Sequence, residues 1–432
     1  MGLWLTLADT LRVHAKWRAL ESAKPVRRRG SGRHLALLAW ALPPNSNAGV
    51  HRPLSLLRYG PGAGWRVTAF HGVAPANQRQ HGEELRASIP DVVRLCEVAE
   101  LELQPSYRAT PQIDGGFGNA IAFARHAIAT LRDDPPDVVL ASGPPFFVFV
   151  AARWLARHFG VPLVLDYRDE WSECPFDFVA HGRDDRAWEE RCHADAAAVV
   201  FTTESHRRHQ IAAFAGLEAA RTHVLPNGWE PGDFETSKEV WRPPDGATLR
   251  LAHVGTLAGH TPPQPFLQSL QDLLSAQPEW GRNLRVQFIG RRSPEAEAAL
   301  RRFKFPEVVE IVDHVAKSEA GQRMRESSAL LLIATPDLQR YLPGKLFDYL
   351  AAGPPVLVFG SAGEASEVVE SLGAGSLCPA GSAAALGEAL ARLSRPRPQV
   401  SDAARAAWLQ AHRRDVLAKR YFELLESVRS AP

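Results

Sequence analysis

The 432 residues carry 50 Lys and Arg against 48 Asp and Glu, a formal net charge of +2, with 45% hydrophobic and 23% charged residues. That length exceeds what one hydrophobic core serves, so two domains are expected, and the composition excludes a disordered chain. The near-neutral balance gives no field for nucleic acid, no apolar run approaches the ~20 residues of a membrane span, and the scattered Cys96, Cys174, Cys192 and Cys378 form neither a disulfide framework nor a common zinc spacing, which fits a reducing cytoplasm.

Residues 1–30 read as a basic amphipathic helix. Leu3, Trp4, Leu7, Leu11 and Ala15 fall near one helical face, while Arg12, Lys16, Arg18, Lys24, Arg27, Arg28 and Arg29 add positive charge. Such a helix suits an anionic membrane surface or the protein's own surface. Asp9 interrupts the apolar stretch, and no small-residue cleavage site follows, so a signal peptide is not expected.

Beyond it, short branched-apolar runs alternate with segments of helical period, the pattern of parallel α/β architecture. Strands are expected at 34–41, 65–70, 137–141, 162–166, 197–202 and 223–225, then at 249–254, 284–289, 308–312, 329–334 and 355–359. Residues 230–248 are polar and carry Pro231, Gly232, Pro243, Pro244 and Gly246, which marks a linker. The reading is a first domain at 31–235, a second at 236–400, and a helical segment at 401–432 that crosses back to the first. Each domain would be a doubly wound sheet binding ligand at the carboxyl ends of its strands, with a cleft between the two.

Taken in chain order, PPNSNAGVHR places Gly49 after the first strand and before a helix, a turn suited to a diphosphate or simply a polar loop. PDVVLASGPP and VPLVLDYRDEW end two strands, the second with Asp166, Arg168, Asp169 and Trp171. Asp169 faces a substrate or is a structural partner of Arg168. LPNG holds Asn227 and Gly228 in a tight turn.

The second domain opens with HVGTLAGHTPP, where Gly255, Thr256 and His260 follow the strand, and FIGRR carries Arg291 and Arg292. LPGKLFDYLAAGPPVLV predicts a helix of about ten residues, started by Pro343 and capped by Gly353. Leu346, Phe347 and Leu350 form its buried face. Lys345 and Asp348, three apart, share another, where a cation for phosphate and an acceptor for hydroxyls, or a plain surface ion pair, would stand. GSAGEASEVVE puts Gly363 and Glu364 at a strand end, toward a diphosphate sugar or as a helix cap.

These segments, in this order, resemble glycosyltransferase family 4, in the branch that builds bacterial surface polysaccharides. The Lys-x-x-acid helix and the Ala-Gly-x-Pro strand entry carry the resemblance most specifically. It departs in having Asp348 where the family usually has Glu, and Arg340 where an earlier Glu is usual. The resemblance implies the GT-B fold, two Rossmann-like domains facing across a cleft, and retaining transfer from a nucleoside diphosphate sugar to a saccharide or lipid-linked acceptor. No Asp-x-Asp motif appears, so neither metal nor cofactor is expected. The resemblance further implies Gly49, Gly255, Thr256, His260, Arg291, Lys345, Asp348, Gly363 and Glu364 at the donor, with Lys345, Asp169 and Glu364 nearest the chemistry. It places the protein in the cytoplasm, peripheral on the inner face of the membrane. A nucleotide-sugar epimerase of the same architecture and an inactive binding protein are the competing readings.

Overall fold

The computed structural model describes residues 2–26, 32–101, 108–234, 248–393 and 402–430. Two compact units divide the chain: Met1–Leu225 with Leu417–Pro432, and Pro226–Val416.

The first unit is built on seven parallel strands: β1 (His34–Ala39), β2 (Arg66–Gly72), β3 (Arg94–Val98), β4 (Val138–Gly143), β5 (Leu163–Tyr167), β6 (Ala198–Phe201) and β7 (Thr222–Val224). Their spatial order is β3-β2-β1-β4-β5-β6-β7. The second unit has six parallel strands: β8 (Leu249–Val254), β9 (Leu284–Ile289), β10 (Val309–Val312), β11 (Ala329–Ala334), β12 (Val356–Gly360) and β13 (Gly375–Pro379), ordered β10-β9-β8-β11-β12-β13. In each sheet the order reverses beside the first strand, between β1 and β4 and between β8 and β11. That reversal is the topological switch point at which open α/β sheets take ligands.

The near-continuous apolar strands are explained by helices on both faces. In the second sheet, Leu249, Leu251, Leu331, Ile333, Leu357 and Phe359 join one core, and the alternate residues Ala252, Val254, Leu330, Leu332, Val356 and Val358 join the other. The helix Gly344–Ala352 packs on the latter face through Leu346, Phe347, Tyr349 and Leu350.

The closing segment forms two helices, Asp402–Ala411 and Arg414–Ser430. In the first, Trp408 stacks on Phe347 with ring centroids 5.3 Å apart. The second delivers Tyr421, Phe422 and Leu425 into the first unit's core beside Leu35, Leu37 and Leu54.

The N-terminal helix spans Gly2–Glu21 and is docked on the first unit. It buries Thr10, Val13 and Leu20, sets Trp17 edge-on to Phe117 at 5.1 Å, and accepts bonds at Glu21 from Arg153 and Trp154. A different face carries Leu7 and Leu11, 50% and 62% exposed. The side chains of Leu3 and Trp4 and the whole of Arg27–Arg29 lie outside the described residues, as does most of the expected linker.

Candidate active site

The second unit's candidates gather at the carboxyl end of its sheet. Gly255 follows β8 with φ +134°, a conformation that favours glycine. A Cβ there would lie 3.1 Å from Lys345 Cε, so the missing side chain is what lets Lys345 cross the strand end. The helix bearing Lys345 runs from Pro343, its N-cap, to Gly353, whose φ is +114°. Tyr349, one turn on, fixes this helix to β8: its hydroxyl accepts from Val254 N at 2.7 Å and donates to Val254 O at 3.1 Å.

Lys345 Nζ sits 3.3 Å from His253 Nε2 and 3.5 Å from the Thr256 carbonyl. Both are neutral acceptors. Burial pushes this ammonium down to about 8. Asp348 takes another direction: one carboxylate oxygen is paired with Lys317, which opens the helix Lys317–Arg325, and the other, Oδ1, is buried with no hydrogen-bond partner. The expected shared face of Lys345 and Asp348 thus resolves into two separate anchor points on one helix.

Arg291 and Arg292 divide sharply. Arg292 is consumed by Glu297, Asp313 and the carbonyls of Gly290 and Val312. The Arg291 guanidinium makes no hydrogen bond or ion pair with the described side chains, although its carbonyl accepts from Leu257 N at 3.0 Å. His260 is half-buried, and its carbonyl accepts from Thr335 Oγ1 at 3.2 Å. Burial, then the nearby Lys345 cation, lowers its imidazole, so it is neutral near pH 7. Gly363 is the N-cap of the helix Glu364–Ser371 and exchanges bonds with Ser366. A Cβ there would lie 2.6 Å from Gln339 backbone atoms, and Glu364 N donates to Gln339 O at 2.9 Å. Both residues therefore have a structural task at this strand end.

In the first unit, Arg168 is the organising group. Its guanidinium donates to the carbonyls of Gly49, Gly143 and Pro144, tying the loop after β1 to the end of β4. Gly49 N is in turn held by Asn47 Oδ1 at 3.0 Å, so both polar backbone atoms of Gly49 are engaged within the unit. Asp166 is fully buried and takes Arg52, Ser142 and the Tyr421 hydroxyl. Burial works to raise its carboxyl, but Arg52 and these bonds hold it below the usual range. Asp169, by contrast, is half-buried and without a hydrogen-bond partner among the described residues. Burial raises it to about 6, with Arg168 opposing and Glu170 adding.

The comparisons with known proteins decide the family. A model described as "Glycosyl transferase 4-like domain" matches residues 49–228, and one described as "Glycosyl transferases group 1" matches 248–395. The chain belongs to the GT-B glycosyltransferases. No curated protein matches this glycosyltransferase by sequence. Solved structures do. A sucrose-phosphate synthase from Thermosynechococcus elongatus is similar at a TM-score of 0.67 and 13% identity, with 93% of this chain and 100% of that one covered. The lipopolysaccharide outer core galactosyltransferase WaaB gives 0.63 and 13%, covering 91% and 99%. An E. coli trehalose-6-phosphate structure bound with UDP-2-fluoro glucose gives 0.67 and 13%, covering 92% and 99%.

Within this glycosyltransferase, Gly255, Thr256 and Lys345 are brought into contact, and Asp348 stands one helical turn further along. Gly49 and Asp169 belong to the first unit. Sequence reasoning did not single out His253, Lys317 or Tyr349. The last two carry no local signal for their roles, because their partners lie 31 and 95 residues away. His253 had one: a polar residue inside an otherwise apolar strand.

Proposed function

We propose that this transferase moves a sugar from a nucleoside diphosphate sugar, held by the second unit, to a saccharide or lipid-linked acceptor received by the first, with retention and without a metal. The observation that carries this reading is the pair of anchors on the helix Gly344–Ala352. Lys345 offers a cation whose present partners are neutral, and Asp348 offers a buried oxygen without a partner. A diphosphate answers the first and a sugar or ribose hydroxyl the second. A structural neighbour holding UDP-2-fluoro glucose and another that is a lipopolysaccharide outer core galactosyltransferase agree with this donor class and with surface-polysaccharide assembly.

In the proposed step the bond from the sugar's anomeric carbon to the diphosphate breaks and a bond to the acceptor oxygen forms on the same face. The acceptor's proton passes to the departing phosphate oxygen. Lys345 stabilises charge that grows as the phosphate leaves, so it counts for more in the transition state than in the ground state. Arg291 is the second cation in this reading. Asp169 binds an acceptor hydroxyl. The exposed Leu7 and Leu11 support a peripheral position on an anionic inner membrane face; no described helix is long and apolar enough to cross a membrane.

The test is transfer from a panel of radiolabelled nucleotide sugars to a membrane extract, with proton NMR of the new anomeric linkage. An inverted product ends the retaining assignment, isomerised donor without transfer favours an epimerase, and activity abolished by EDTA and restored by manganese ends the metal-free one.

A further inference from the structure

His253 is a fully buried histidine in a strand whose other inward side chains are apolar. By strand alternation it shares its face with Leu249 and Leu251, and its ring lies 6.1 Å from that of Phe288. The helix carrying Lys345 packs on the opposite face of the sheet, so Lys345 must pass over the end of β8, above Gly255, to reach it. His253 Nδ1 lies 3.1 Å from the Leu331 carbonyl. A carbonyl only accepts, so in the neutral ring the Leu331 bond puts the proton on Nδ1; the Thr256 carbonyl also approaches the ring, and Nε2 then keeps a lone pair 3.3 Å from Lys345 Nζ.

We propose that His253 is a positioning residue for the donor's diphosphate: fixed by the Leu331 carbonyl as a neutral acceptor, it holds the Lys345 ammonium at the end of β8 without neutralising it. This rests on the donor site proposed above and assigns a function to a residue outside it. The choice of histidine follows from what the alternatives would do. A carboxylate here would pair with Lys345 and compete with an incoming anion. An apolar side chain would leave a long, flexible amine unaimed, and its ordering would then have to be met by the ligand. Imidazole avoids both, provided it stays neutral. Burial pushes His253 well below its ordinary range, and the Lys345 cation pushes in the same direction. The groups facing Lys345 are His253, the Thr256 carbonyl and, by electrostatic influence, His260, also held neutral by burial. With no anion among them, a bound diphosphate is the counter-charge, and it draws the amine back to its protonated form.

The experiment is isothermal titration of UDP, GDP and ADP, and of the matching nucleosides, into the full chain and into His253→Leu and His253→Gln. Each is run at pH 8.5 in two buffers of different ionisation enthalpy. The wild type is expected to bind one diphosphate with net proton uptake, and Lys345→Met to lose that uptake. His253→Leu is expected to weaken the diphosphate on the order of tenfold while leaving the nucleoside unchanged. His253→Gln, which keeps an acceptor near the Nε2 position, should stay within about threefold of wild type. If no diphosphate binds the wild type, the donor-site reading fails and not this one alone. If one binds and His253→Leu matches wild type, or loses nucleoside and diphosphate alike, the role of His253 is overturned. Should His253→Leu fail to fold, His253→Gln decides: a loss of diphosphate affinity well beyond about threefold, or an equal loss of nucleoside and diphosphate, overturns the proposal.

Discussion

Asp348 gives one carboxylate oxygen to Lys317 and keeps the other buried and unpaired. A buried acceptor without a donor is costly, and the cost is recovered when a ligand hydroxyl supplies the hydrogen. Asp348→Asn is therefore expected to weaken the bound nucleotide by about 1 to 3 kcal/mol. Calorimetry against the ribonucleotide and its 2′,3′-dideoxy analogue checks this: the substitution should cost affinity for the first and little for the second, and an equal loss on both would remove Asp348 from the ribose.

Lys345→Met is expected to abolish most transfer and yet to stabilise the fold at pH 7. The native amine, lowered to about 8 by burial, is disfavoured as a cation. Between pH 8 and the ordinary lysine range the unfolded chain binds more protons, so wild-type stability rises with pH there, and the deficit is complete below pH 8. Melting temperatures of both proteins at pH 7 and pH 10 read it directly. The gain should shrink at the higher pH, and a Lys345→Met protein that melts lower than wild type at pH 7 would contradict the account.

Asp169→Asn carries the opposite pH signature. The native carboxyl, raised to about 6, keeps its proton longer than the unfolded one, so wild-type stability falls as pH rises from about 4 to 6 and the full deficit stands above that. The substitution should raise the melting temperature at pH 8, change little at pH 4, and reduce turnover by about tenfold or more if the carboxylate binds acceptor. Unchanged turnover would leave Asp169 a strained but idle group.

Leu7→Glu with Leu11→Glu should leave the melting temperature within a degree or so, because neither side chain contributes to the packed face of the N-terminal helix. On vesicles containing phosphatidylglycerol the pair is expected to sediment about tenfold less than wild type. Equal sedimentation of both proteins would mean this face has no lipid to meet.

Much of the fold was legible because buried parallel strands are short, largely apolar runs, and eleven of the thirteen strands were expected from the sequence. The other two, β3 and β13, each close one edge of a sheet and carry Arg94 and Glu97 or Ser376 in place of branched residues, whereas the opposite edges, β7 and β10, were expected. At the site, local spacing identified the helix of Lys345 and Asp348 because its start, stop and periodicity are all encoded within ten residues. What spacing could not supply was direction. That Lys345 turns to His253 and Asp348 to Lys317 is decided by residues 92 and 31 positions away. The same holds for the two arginines after β9: adjacent in sequence, one is locked by Glu297 and Asp313 and the other is not. The apolar stripe of the N-terminal helix was read from its residues, but the face it docks with, through Val13 and Leu20, is a different one.

The Tyr421 hydroxyl closing on Asp166 beside Arg52 has a consequence for how the protein is made. The first unit's sheet is complete in sequence by residue 224, yet the ring that covers its buried Arg–Asp pair arrives almost 200 residues later, after the whole second unit. On the ribosome the first unit must therefore wait, its Leu35 and Leu54 surface uncapped, while the second is synthesised. Its core is finished only when the last helix emerges.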